Sequence, residues 1–576
     1  MNYEKKWRVL PEAGEEFFKD KTGYNRLILQ LLYNRGIQDS GEIKNFLEAD
    51  RSSDHDPFLF QEMEKAVDLV IDHIKKGNKI YIYGDYDADG ITSSALLFTL
   101  LKKMKADVAV YIPDRVSEGY GLNKEAIDEI KKQGGKLIIT VDTGIRNKPE
   151  VEYAREQGLD VVVTDHHMPP EEKKDLPDCP LINPLVEDSG YPFGYLAGVG
   201  VAFKLGQALV RKSTLSDEQK DIMIERLLDL VAIGTITDCV TLLGENRILV
   251  KKGMKVLNHT KRVGLQELVE VAQINNKKLQ AWNVGFQLGP RLNASSRMDH
   301  ADGAFYLLVS EDKKEAREMA KDLNNKNITR QKDTELIFDE ASQGQDENQN
   351  KIIVAVSEED KKWSEGIIGL VASRLSERYY KPALVITKGE EGYKGSGRSI
   401  DEFNIIEALE ECSDVLEKYG GHAKACGFSV SEENLQSFID KITRLANKKL
   451  RHTELIPTLR IDAELSLNKI DEDLFNQIEK MAPFGQDNPK PQFLSREVEI
   501  RDIVRMGKNG EHIKFRLDGL WALSFNHKEK WQHLRIGDTV DVVYYIDMNE
   551  FNGKREVQLK IVDMQKKSKI KNQKSK

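Results

Sequence analysis

From Lys79 onward the chain alternates short apolar runs with stretches of helical period. The runs are "KIYIYG", "DVAVYIP", "KLIITVD" and "LDVVVTDHH", and between them lie "SALLFTLLKKM", "EAIDEIKKQ" and "EVEYAREQG". Near-continuous apolar runs separated by helices predict a largely parallel sheet covered on both faces. Ahead of it, residues 1–75 carry helical segments such as "YNRLILQLLYNRG" and "MEKAVDLVIDHIKKG" with short polar links, a lead-in without obvious chemistry. Beyond it, residues 241–345 read as helical and end in "EDKKEAREMAKDLNNKNITRQKDTELIFDE", whose charge fits a long exposed connecting helix. The polar "QGQDENQN" then precedes a new strand, "KIIVAVS", which opens a second αβ domain over residues 346–452. After "MAPFGQDNPKPQF" the period becomes two: "EVEIRDIVRM", "HIKFRL", "LWALSFN", "DTVDVVYYID" and "KREVQLKIVDM". With turn signals at Asn509-Gly510 and Asn552-Gly553, these strands predict a small all-β barrel within residues 453–565, followed by a basic tail, 566–576. The expected fold is therefore α/β: a parallel-sheet domain over residues 76–240, a smaller αβ domain joined to it by a long helix, and a C-terminal barrel.

Composition narrows the class. The 576 residues exceed a single ordinary core and imply several domains. A hydrophobic share of 40% and a charged share of 31% describe a globular chain, and no run reaches the roughly 18 apolar residues a membrane span needs. "MNYEKKWRVLPEAGEEFF" lacks the features of a secretory signal, so the expected location is cytoplasmic. Cys179, Cys239, Cys412 and Cys426 are widely spaced and form no CxxC pair; they read as small buried hydrophobes rather than disulfide or zinc ligands. The net charge of −9 counts weakly against a nucleic-acid ligand, because a basic groove can coexist with an acidic exterior.

The chemistry lies at the strand ends. In open parallel sheets ligands bind beyond the carboxyl ends of the strands. "KIYIYG" ends in Asp85, Asp87 and Asp89, "KLIITV" in Asp142, and "LDVVVT" in Asp165, His166 and His167. Carboxylates about 4 Å apart repel by roughly 4 kcal/mol at an effective dielectric of 20, so a cation is expected among them. Any one of these aspartates is ordinarily a helix N-cap, and Asp89 before "GITSSALL" is placed to be one. Seven such residues at three successive strand ends point instead to a metal site, and oxygen ligands mixed with histidine suit Mn²⁺ or Mg²⁺.

"DYDADG", "VDTG", "TDHH" and "AIGTITD" resemble the four motifs of the DHH phosphoesterase family, named for an Asp-His-His triplet that falls here on Asp165, His166 and His167. The resemblance continues through "YIPDRVSEGYGL", "LAGVGVAFKL", "GPRLNASSRMDHA", "WSEGIIGLVASRL", "GSGRSI", "GGHAKACGFS" and "PFGQDNP", in the order seen in the family's single-strand-specific 5′-to-3′ DNA exonucleases. It implies a DHH domain, a connecting helix, a glycine-rich DHHA1 domain and an oligonucleotide-binding (OB) fold. It further implies two ions: Asp89, Asp142, His166 and Asp238 would hold one and Asp87 with Asp142 the other. Asp85 would either complete the ligand shell of the second ion or hydrogen-bond near it. His167 would reach the scissile phosphate and Asp165 would orient a histidine. Asp238 closes a helical run, where a carboxylate is disfavoured by the helix dipole, which adds weight to a metal role.

For substrate binding, the resemblance points to Arg115 and to Ser396 with Arg398 at the 5′-terminal phosphate. Arg297 would grip the backbone, and Gly397, Gly420 and Gly421 would let backbone N–H groups approach phosphate, with Ser396, Arg398 and His422 as side-chain donors. In "SSRMD", Ser295 and Ser296 stand where the family usually has alanine and glycine. Trp521 and Phe525 read equally well as stacking residues or as barrel core. The implied activity is hydrolysis of single-stranded DNA from the 5′ end to mononucleotides in DNA repair and recombination. The implied partners are single-stranded DNA, a single-stranded-DNA-binding protein and a helicase, and the protein is expected to be a monomer. The alternatives are a related phosphodiesterase of short oligonucleotides or cyclic dinucleotides, which would need no barrel, and a replication scaffold with a decayed site.

Overall fold

The structure, a computed structural model, describes residues 5–48, 54–115, 117–274, 278–298, 301–345, 349–358, 361–507, 510–525, 528–551 and 553–567. Asn509 and Asn552 of the two turn signals, part of the polar linker and residues 568–576 of the tail lie outside them. The chain divides into two compact units: residues 1–54, 241–251 and 456–576 form one, and residues 55–240 with 252–455 form the other.

In the larger unit, five parallel strands make a sheet in the order Val108–Tyr111, Lys79–Gly84, Gly135–Val141, Asp160–Thr164, Leu181–Ile182. The central strands are buried along most of their length, which is why they read as continuous apolar runs. The helix Lys313–Ala341 follows later in the chain. It is not wholly exposed as its charge suggests: Ala316, Ala320, Leu323, Asn327, Thr334 and Phe338 recur at helical spacing and are buried. A mixed five-stranded sheet comes next, in the order Lys418–His422, Ala425–Val430, Tyr393–Arg398, Ala383–Lys388, Ile353–Val356. Only its last pair is parallel.

The smaller unit is built around a closed barrel of five strands, Phe493–Met506, His512–Leu517, Leu520–Ser524, Thr539–Phe551 and Lys554–Lys566. Phe493–Met506 pairs with Thr539–Phe551 to close the ring, and the parallel contact of Leu520–Ser524 with Lys554–Lys566 completes it. Sequence order suggests an independent lead-in ahead of the parallel sheet, yet the contacts cut the chain elsewhere. Helix Arg26–Tyr33 turns Ile28, Leu29, Leu31 and Leu32 into the same core as Phe493, Phe515 and Tyr544 of the barrel. Lys6–Val9 pairs in parallel with Thr458–Ile461, and buried Arg247 donates to the carbonyls of Phe46, Lys480 and Met481. An amphipathic helix buries its stripe wherever an apolar face is available, whatever the distance along the chain.

The cysteines only partly match their reading as buried hydrophobes. Cys412 and Cys426 are buried, Cys179 is half-buried, and Cys239 is exposed at a positive φ of 61°, in a turn that follows a helix rather than in a core. Among the described residues no helix is long and apolar enough to cross a membrane.

Candidate active site

The order of the parallel sheet reverses between Lys79–Gly84 and Gly135–Val141, and the carboxyl ends of those two strands flank the crevice where such sheets bind ligands. Asp85 and Asp87 leave the first strand. Asp87 caps helix Ala88–Lys103, accepting from the N–H groups of Asp89 at 2.8 Å and Gly90 at 3.1 Å. The cap is therefore Asp87 and not Asp89, whose carboxylate is free to point elsewhere. Asp89 turns inward to the start of helix Gly198–Lys212, where it accepts from Gly198 N–H at 2.7 Å and Val199 N–H at 3.0 Å. That helix start supplies amide donors and a positive dipole end to a buried carboxylate.

Asp142 leaves the neighbouring strand with φ of 61°, a left-handed conformation that aspartate tolerates better than most residues. Two glycines let these carboxylates sit where they do. A Cβ at Gly198 would lie 2.5 Å from Asp142 Oδ1, and one at Gly234 would lie 2.6 Å from Asp89 Oδ1. Asp238 follows helix Leu228–Thr237 as its C-cap, which bears out its expected place in the chain.

The side chains then gather into three groups, of which the one formed by Asp142, His166 and His167 shares a residue with each of the other two. Ligand atoms of Asp89, His166 and Asp238 lie within 4.8 Å of one another, as do those of Asp85, Asp87 and Asp142. His166 Nε2 is 3.1 Å from Asp142 Oδ1 and 3.6 Å from Asp238 Oδ2, so Asp142 stands between the groups. Asp85 Oδ1, Asp142 Oδ1 and Asp238 Oδ2 are buried without a hydrogen-bond partner. Burial first, then mutual repulsion, pushes Asp85 up to about 8 and Asp89 to about 7, and holds Asp142 and Asp238 well above the ordinary carboxylate range. Burial and the neighbouring His167 bring His166 down to about 4, leaving a neutral imidazole able to donate a lone pair. Hard oxygen atoms, one neutral imidazole and three orphaned buried oxygens fit a pair of divalent cations.

Asp165 is fully buried and has a different task. Its Oδ1 accepts from the N–H groups of His166 and His167 and lies 2.8 Å from His167 Nδ1, while its Oδ2 accepts from Ile145 N–H. Burial would raise its pKa, yet the His167 bond and these amides hold it low. His167 is half exposed; burial pulls its pKa down, but Asp165 outweighs this and leaves it raised. Tyr120 Oη stands 3.1 Å from the same His167 nitrogen, a neighbour the sequence reading missed inside its own quoted "SEGYGL".

Cationic groups crowd a second area. Arg297 donates to Gly366 O at 2.8 Å while its Nε is buried and unpartnered. Burial, and then repulsion from Arg115, Arg330 and Arg398, brings its pKa down to about 10. Arg398 is likewise lowered by burial, with a smaller contribution from Arg115. These arginines thus feel one another's charge, and Arg330, from the long helix, is a member the sequence did not single out. Helix Glu365–Tyr379 packs against this area; a Cβ at Gly369 would lie 3.1 Å from Ser396 Oγ and 3.3 Å from Arg398 Nη2.

Strand register explains which glycine-rich residues share that face. Arg398 is level with Ala425 and Ala425 with His422, while Ser396 is level with Gly427 and Gly427 with Gly420. The small residues leave an open floor between Arg398 and exposed His422. Gly397 lies on the opposite face of the strand, over the core, where a Cβ would lie 2.5 Å from Cys426 Sγ, so packing there requires glycine. Gly421 sits at φ of 140° with Ala425 O only 2.3 Å from a would-be Cβ, a requirement of the hairpin itself. In the barrel, Trp521 lies between Lys514 at 4.5 Å and Arg516 at 5.0 Å, and Phe525 is 46% exposed; Phe525 is therefore not core.

Comparison with known proteins follows this division. Residues 79–235 match the DHH family, N-terminal domain; residues 348–448 match the DHHA1 domain; and residues 461–563 match the RecJ OB domain. The single-stranded-DNA-specific exonuclease RecJ of Bacillus subtilis is 39% identical over 93% of this chain and 67% of its own length. That of Escherichia coli is 32% identical over 93% of this chain and 95% of its own. The crystal structure of RecJ in complex with Mn²⁺ from Thermus thermophilus superposes with a TM-score of 0.81 at 29% identity, covering 98% of this chain and 80% of that one.

Proposed function

The chain belongs to the RecJ family of single-stranded-DNA-specific exonucleases, and we propose that it hydrolyses single-stranded DNA from the 5′ end to mononucleotides, using two Mn²⁺ or Mg²⁺ ions. The observation that carries this reading is that Asp142 gathers with His166 and His167 on one side and with Asp85 and Asp87 on the other. Asp89, Asp142, His166 and Asp238 would hold one ion, and Asp87, Asp142 and Asp85 the other. Asp85 joins the ligands because its Oδ1 is orphaned and a carboxylate oxygen of it lies within 4.8 Å of ligand atoms of Asp87 and Asp142. Bound there, divalent cations supply Lewis-acid activation of water and charge stabilisation for in-line displacement at phosphorus.

The protein's own groups do the rest. Gly198 and Val199 N–H orient Asp89 so that its carboxylate enters the cluster in one geometry. Asp165 anchors the backbone of the Asp-His-His turn and the His167 ring, and it raises the pKa of the imidazole that would meet a non-bridging phosphate oxygen. Arg115, Arg297 and Arg398, with Ser396 and His422, would clamp the terminal phosphate and the adjoining backbone. An anion placed among guanidiniums that repel one another relieves that repulsion.

The same proposal places the protein in the cytoplasm, as a monomer in DNA repair and recombination. A helicase would open the duplex and a single-stranded-DNA-binding protein would coat the strand. The deciding experiment is a gel assay with Mn²⁺ on matched 5′- and 3′-labelled single-stranded DNA, RNA and dinucleotide. Mononucleotide released first from the 5′ label of DNA is the expected result. Turnover confined to the dinucleotide would favour the short-oligonucleotide phosphodiesterase instead.

A further inference from the structure

Residues 281–298 form one continuous helix, and its middle, Val284–Leu288, is wound as a π-helix, a distortion often found at functional sites. On it Trp282 and Phe286 are 57% and 69% exposed and stack on each other, with ring centroids 5.6 Å apart and planes at 23°. A single exposed aromatic residue needs no explanation. Two large rings, one turn apart and held parallel in water, present a ready apolar face.

The helix is fixed to the active site at three points. Gly289 packs so closely on Thr237, the residue before Asp238, that a Cβ there would lie 2.4 Å from Thr237 Cγ2. Asn293 Oδ1 accepts from Ala88 N–H at 2.7 Å, in the turn that carries Asp87 and Asp89. Arg297 lies in the guanidinium cluster. At 1.5 Å per residue, Phe286 and Trp282 stand roughly 10 and 16 Å up the helix from Asn293. Between them and Asn293 lies Arg291, tied to Asn324 and to the Gln287 carbonyl.

Resting on the exonuclease reading above, we propose that Trp282 and Phe286 are a stacking platform for bases of the substrate strand beyond the scissile nucleotide. The platform offers ring faces and no sequence-reading donors, so it would hold any base. Its rigid link to the Asp87–Asp89 turn means that a stacked strand is registered against the site.

The test measures affinity for strands of about 12 nucleotides in metal-free buffer, where binding is separated from hydrolysis. Trp282→Ala/Phe286→Ala is compared with wild type and with Trp282→Phe, using strands in which one abasic site is stepped along the chain. The double variant is expected to bind the intact strand about tenfold or more weakly, at the level of one lost stack, while Trp282→Phe stays near wild type. With Mn²⁺ restored, KM should rise and kcat at saturating strand should hold. One abasic position should weaken wild type by a similar factor and leave the double variant unaffected. Equal abasic penalties in both proteins, or unchanged affinity in the double variant, would overturn the platform and mark the surface as one for a protein partner. Wild-type turnover of the intact strand tests the exonuclease reading by itself, whatever the variants do.

Discussion

The carboxylate rim and the guanidinium face are mirror images in charge but were written into the chain in different ways. Each packs like charges into partly desolvated positions, and each is costly until an opposite charge arrives: cations on one side, phosphate on the other. Three residues of the acidic rim, Asp85, Asp142 and Asp165, directly follow three neighbouring strands. The basic face is assembled from Arg115 after one strand, Arg297 on a helix, Arg330 on the long helix and Arg398 in the second sheet. A site built on one sheet edge is local to each strand end; a site built across elements exists only after folding.

That contrast can be broken by substitution, starting where the loss should be greatest. Asp142→Ala is expected to abolish hydrolysis with the fold retained, since one carboxylate stands between both ligand groups. Mn²⁺-dependent turnover by the variant, with an unchanged circular dichroism spectrum, would refute its role. Gly198→Ala should follow closely, with activity down about a hundredfold or more, because the added methyl would sit 2.5 Å from Asp142 Oδ1 and push the carboxylate aside. The check is kcat across a Mn²⁺ titration, where excess metal restores only part of the rate.

Substitution on the basic face should cost less and discriminate between substrates. Arg398→Ala is expected to lower kcat/KM about ten- to a hundredfold on 5′-phosphorylated strands and much less on 5′-hydroxyl strands. Lysine at that position should rescue only partly, since it lacks the planar fork. Steady-state kinetics on strands that differ only at the 5′ end decide this. Equal slowing of both would move Arg398 to an internal phosphate.

The smallest effect sharpens the acidic side alone. In metal-free protein the folded state holds protons on Asp85 and Asp89 that the unfolded chain gives up near 3.8. Their contribution to stability is therefore full below 3.8 and is lost as pH rises through about 7 and 8. Thermal melts of metal-free protein should show Tm falling across that window, and saturating Mn²⁺ should flatten or reverse the slope. A pH-independent difference between metal-free and loaded protein would contradict the burial and mutual repulsion assigned to the cluster.

How much the sequence disclosed follows the same division. Alternating apolar runs and helices disclosed the parallel sheet, and the quoted motifs placed its acidic residues at the strand ends, because burial on two faces leaves its mark in every strand. The barrel strands were legible from their period of two. What stayed hidden depended on distant packing: Asp87 rather than Asp89 as the cap, Gly198 and Val199 as donors to Asp89, Arg330 in the basic cluster, and residues 26–33 folding onto the barrel. Gly397 shows the converse, a residue inside a functional motif whose glycine is dictated by the core beneath it.

The central claim is that Asp142 is shared between two cation sites, and a calorimetric Mn²⁺ titration tests it most directly. Wild type should bind two ions per chain, and Asp87→Asn should lose one while keeping the other near wild-type affinity. Asp142→Asn should weaken both together. If Asp142→Asn instead loses one ion and binds the other as tightly as wild type does, the carboxylate belongs to a single site and the shared arrangement is wrong.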